Sequence, residues 1–76
     1  MASEEILGID LHDAVMGLKR AVGMKRLILN SPLTIQALDR VRLGADGRVD
    51  PSTVGSEVRA AARAYIGMHP DDWDIR

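Results

Sequence analysis

The sequence predicts a mainly α domain made of a short strand and three amphipathic helices, and three observations carry that expectation. Its 76 residues leave room for only one hydrophobic core. Glycines and prolines divide the chain into segments, most of which carry their own helix start or stop signals. The apolar side chains are Leu, Ile, Val, Ala and Met, with Trp73 and Tyr65 as the only aromatic residues. Such a mixture fills a helical interface better than a sheet sandwich. The expected organisation is one domain over residues 1–76: a helix over 10–22, a strand-helix-helix unit over 25–67 and an acidic tail over 68–76.

The first helix follows from the spacing of Leu11, Ala14, Val15, Leu18 and Val22, which draws one apolar stripe along a helical surface. Asp10 stands at its N-cap and Asp13 in its first turn. Lys19 and Arg20 fall near its end, where the helix dipole favours cations, and Gly23 provides a stop. Gly17, inside the helix, lowers its intrinsic stability by about 1 kcal/mol relative to alanine, which points to close packing there or to a marginal helix.

Residues 25–30 admit two readings, because Leu27-Ile28-Leu29 is too short a run for periodicity to decide. Its brevity, its isoleucine and its termination at Asn30-Ser31-Pro32 favour a strand. Continuation of the first helix through Gly23 is the alternative. Ser31 and Pro32 then open a helix as cap and first residue. Leu33, Ala37, Leu38 and Val41 form its stripe and Gly44 ends it. Asp46-Gly47 marks a loop or tight hairpin over residues 44–49. The last helix is expected from Pro51, capped by Asp50, to Ile66, closed by Gly67. Val54, Val58, Ala61, Ala62 and Tyr65 share one of its faces, and Ser52, Ser56, Arg59 and Arg63 the opposite one. Trp73, in the tail, is expected to tuck against a helix.

Composition narrows the function. With no cysteine, neither a disulfide framework nor a thiolate metal site can supplement so small a core, and oligomerisation is the remaining route, so a homodimer is expected. The Leu27-Ile28-Leu29 run falls far short of the roughly 20 apolar residues that span a bilayer. No membrane association is expected, and an acidic N-terminus where a secretory signal is basic points to the cytoplasm. Net charge is −1, distributed as −4 over residues 1–18, +5 over 19–63 and −2 over 64–76. A basic middle between acidic ends suits a polyanion surface, or ends that pair with the middle.

No nucleophile, base and orienting acid stand out as a catalytic set, so no enzyme activity and no cofactor are expected. His12-Asp13, and His69 with Asp71 and Asp72, read as solvated surface rather than as metal ligands. Asp46-Gly47-Arg48-Val49-Asp50 is similar to part of a calcium loop, but with Gly47 at the required glycine the first and third ligand positions fall on Arg42 and Gly44, which offer no side-chain oxygen. Extended by Pro51 and Thr53, the stretch is also similar to peptidoglycan-binding repeats, without their aromatic positions.

The order of a strand ending at Pro32, a helix containing Leu38-Asp39-Arg40-Val41-Arg42, a turn at Asp46-Gly47-Arg48 and a helix beginning Thr53-Val54-Gly55-Ser56-Glu57-Val58 resembles the ribbon-helix-helix DNA-binding family over about residues 25–67. The resemblance implies a dimer whose paired strands enter the major groove of double-stranded DNA. It further implies Lys25, Arg26, Ile28 and Asn30 on the DNA side, Leu27 and Leu29 in the dimer core, and a phosphate held by backbone N–H groups near Ser52, Thr53 and Val54. Ile28 is apolar where that family places a hydrogen-bonding side chain, the inter-helix turn is longer, and an extra N-terminal helix precedes the strand. A helix-turn-helix is a second route to DNA, with a recognition helix starting at Asp50 and presenting Arg59 and Arg63. Apart from DNA, an apolar helix face suits an adaptor or inhibitor that docks on a protein partner.

Overall fold

A computed structural model describes residues 4–72 of the chain and supports the mainly α reading, with three α-helices and one two-stranded sheet. The strands β1 (Glu5–Ile6) and β2 (Ile9–Asp10) form an antiparallel hairpin in which Ile6 faces Ile9 and Glu5 faces Asp10. Leu7 and Gly8 make the turn with φ of 51° and 82°. Two successive left-handed residues match the right-handed twist of a hairpin. Ile6 and Ile9 flank the turn and are both buried, so the hairpin closes one end of the core.

Helix α1 (Leu11–Gly23) starts at Asp10, whose carboxylate accepts the His12 N–H at 3.1 Å. Its buried face is Leu11, Ala14, Val15, Leu18 and Ala21; Val22, expected in the stripe, is only half-buried. Helix α2 (Pro32–Asp39) starts at Ser31 and Pro32 as expected, but ends well before Gly44. Shortening leaves Leu38 as its one buried residue and Leu33 66% exposed, so Leu33 is not core. Val41 is buried in the loop beyond.

The strand expected at residues 25–30 does not form within the described chain, where the residues are turn and irregular backbone. The last turn of α1 is closed by Met24 N–H to the Arg20 carbonyl at 2.9 Å and Arg26 N–H to the Ala21 carbonyl at 2.8 Å, with Lys25 at φ 61°. That left-handed residue also excludes the alternative, a helix continuing past Gly23.

The last helix also starts later than expected. Pro51–Thr53 forms a separate 3-10 turn capped by Asp50, and α3 (Ser56–Met68) begins after the extended residue Val54, with Gly55 at its N-cap. Prolines favour a helix start, but an Asp50 side chain that bonds the Ser52 N–H closes a single tight turn without committing the chain to a helix. Val58, Ala62, Tyr65 and Ile66 are the buried face of α3, which packs against both α1 and α2. Between α2 and α3, Leu43 bridges Val49 around the Asp46-Gly47 turn. That loop is tied to α1: the Val49 N–H donates to His12 Nδ1 at 2.9 Å, and Arg48 pairs with Asp10. A second 3-10 turn, Pro70–Asp72, follows α3. Trp73 lies outside the described residues.

Candidate functional site

Residues 24–35 are where the chain departs most from a closed small domain. After the turn at Lys25, exposure alternates: Leu27 and Leu29 are half-buried and pack on the core, while Arg26, Ile28 and Asn30 are exposed. Alternation of this kind is what an extended backbone produces. Ile28, Leu29 and Asn30 nevertheless make no backbone–backbone hydrogen bond among the described residues. Ile28 is 77% exposed, and Leu33 and Ile35 on α2 are exposed as well. Such a concentration of uncovered aliphatic side chains beside unpaired backbone is unusual for a domain with so few apolar residues to spare.

Lys25 is exposed beside Arg26, so the basic pair and Asn30 share the segment with Ile28. The other predicted residues are placed differently. Ser52 donates both its N–H, at 3.0 Å, and its hydroxyl, at 2.8 Å, to the Asp50 carboxylate. The Thr53 hydroxyl donates to the Asp50 carbonyl at 2.7 Å and accepts the Arg42 N–H at 3.0 Å. The donors near Ser52 and Thr53 are therefore engaged within the loop, and a phosphate there would meet a carboxylate. Arg59 is likewise engaged. Its guanidinium donates to the Val54 and Pro51 carbonyls at 3.3 Å each and to Glu4 at 3.1 Å, tying the N-terminal segment to the start of α3. Arg63 is exposed. Of the two arginines of the proposed recognition helix, one is thus structural.

His12, through the bond from Val49, is also engaged structurally. Among the described residues no three His, Cys, Asp or Glu side chains come together as metal ligands, and no helix is long and apolar enough to cross a membrane.

A second feature, not visible in the sequence, is a half-open groove of about 680 Å³ along the outer face of α1. Asp10 and Asp13 line one end, Arg20 and Arg26 the other, and Met16 and Gly17 the middle. Gly17, for which the sequence leaves close packing or a marginal helix open, lines this groove. Comparison with protein families, characterised proteins and solved structures gives no match for this chain.

Proposed function

We propose that the chain is a non-catalytic interaction module that takes up an extended apolar segment of a partner protein along residues 28–30, just before α2. The observation that carries this reading is the coincidence of backbone at Ile28, Leu29 and Asn30 that is unpaired among the described residues with the exposed side chain of Ile28; Leu33 and Ile35, on different sides of the first turns of α2, are exposed further along. Backbone pairing supplies affinity in strand addition, and pockets or ridges for alternate side chains supply selectivity. A small domain without cysteine fits the cytoplasm, where disulfides do not persist.

Selection from a random displayed peptide library tests the proposal. Enriched peptides should alternate apolar residues, and Ile28→Lys should abolish their binding while leaving the melting temperature unchanged, because Ile28 contributes little to the core. Failure of any peptide to enrich above background would contradict it.

A second reading, a small dimeric DNA-binding regulator of the repressor or antitoxin kind, is favoured by the outward placement of Lys25, Arg26 and Asn30 opposite Leu27 and Leu29. In that reading the free edge at 28–30 pairs with the same segment of a second copy. Binding to duplex DNA would weaken with salt at a slope of about −0.9 per phosphate contact. Arg26→Ala and Asn30→Ala would each weaken specific binding by roughly 1–3 kcal/mol. No association with random duplex at low salt would eliminate this second reading and leave the first intact.

A further inference from the structure

We infer that a second copy of this chain packs on the outer face of α1, antiparallel, about a twofold axis passing between Met16 and Gly17. At about 100° per residue, Asp13, Gly17, Arg20 and Met24 fall on the side of α1 away from Leu11, Val15 and Leu18, with Met16, half-buried and touching the core, at its margin; Asp13, Arg20 and Met24 are exposed and Gly17 is half-buried. An antiparallel copy about this axis sets Asp13 against Arg20 of the second copy, and Met16 against its Gly17, each pair occurring twice. The two ion pairs are complementary by symmetry, as an isologous interface requires. A parallel copy would oppose like charges instead.

Shape agrees with charge. Gly17 has no side chain, so the helices can approach closely at the axis, and the flexible Met16 fills the space opposite. A mid-helix glycine weakens the helix on its own, and close approach is the compensation a glycine allows. Met24, 63% exposed at the far end of the stripe, reaches over the Gly8–Ile9 wall of the other copy's groove. Among the described residues neither Asp13 nor Arg20 has an ion pair or side-chain hydrogen bond within the chain, so both are available to the second copy. This face is separate from residues 28–30, and its test does not depend on that surface.

Sedimentation equilibrium over a wide concentration range decides the matter with four chains: wild type, Asp13→Arg, Arg20→Asp and the double exchange. The wild type should dimerise. Each single reversal opposes like charges twice and should weaken dimerisation by roughly tenfold or more, whereas the double exchange restores complementarity and should recover the wild-type constant. Circular dichroism checks that each variant is folded, which two exposed positions permit. Dimerisation unaffected by either single change, or not recovered by the double, would overturn the inference. So would a wild type that stays monomeric across that range.

Discussion

Replacing His12 by alanine removes the acceptor of a single bond that joins distant parts of the fold. The Val49 N–H reaches His12 Nδ1 at 2.9 Å, and Val49 itself is buried in the core. Without the imidazole, the donor faces a partly buried space with no partner. An orphaned donor of this kind costs about 1–3 kcal/mol, more than the bond's net contribution, because its lost hydration is not recovered. In a domain of this size each kcal/mol moves the melting temperature by roughly 4–8 °C, so His12→Ala should lower it by roughly 5–20 °C. His12→Asn, which offers a carbonyl oxygen on a shorter side chain, should recover part of the loss. Thermal melts by circular dichroism give the size of the effect, and amide exchange at Val49 locates it. A His12→Ala chain within about 0.5 kcal/mol of wild type, with the Val49 amide still protected, would refute the reasoning.

Two further changes test the packing and the hairpin. Val58 is fully buried on α3, so Val58→Ala should destabilise by about 1–3 kcal/mol in denaturant titrations through lost burial and a residual cavity. Arg63→Ala, on the exposed side of α3, should stay within about 0.5 kcal/mol. Equal effects would contradict the assignment of faces. Leu7 holds a left-handed φ of 51° that disfavours a leucine by roughly 1 kcal/mol or more. Leu7→Asn should therefore raise the melting temperature, since asparagine suits this turn; a lower value would show that the contacts of Leu7 outweigh its strain.

The helices were legible where cap and stripe agree. Asp10 before Leu11, and Ser31-Pro32 before α2, place two starts correctly, and Val58, Ala62 and Tyr65 mark the buried side of α3. The end of α2 was not legible, because the stripe from Leu33 to Val41 continues past Asp39 although the backbone leaves the helix there. Its last member is buried from a loop instead. The hairpin leaves little trace in the sequence, because its strands are two residues each and Leu7-Gly8 is a turn pair without the usual asparagine or aspartate. Pro51 misled for a physical reason: a proline and an Asx cap stabilise one 3-10 turn as well as they open a helix.

At the candidate site, composition showed which residues are basic or apolar but not which are already engaged. Arg59, Ser52 and Thr53 look exposed and available in the sequence, yet Ser52 is held by nearby Asp50, Thr53 by Asp50 and Arg42, and Arg59 in part by distant Glu4. Ile28 is exposed, as the ribbon-helix-helix resemblance implies, although the strand on which that placement rests does not form. The α1 groove needed three dimensions, because its walls come from the hairpin, α1 and the turn that follows it.

The central claim is that residues 28–30 present a free backbone edge flanked by exposed aliphatic side chains. Residue-resolved amide hydrogen exchange on the dilute protein tests it most directly, followed by addition of a library-selected peptide. In the free chain Ile28, Leu29 and Asn30 should exchange within about tenfold of unstructured peptide rates, while Val58 and Ala62 approach the protection of global unfolding. Saturating peptide should then slow exchange within residues 28–30 specifically. Strong protection of these three amides in the dilute, peptide-free protein would mean that the edge is already paired, and the proposed docking surface would not exist.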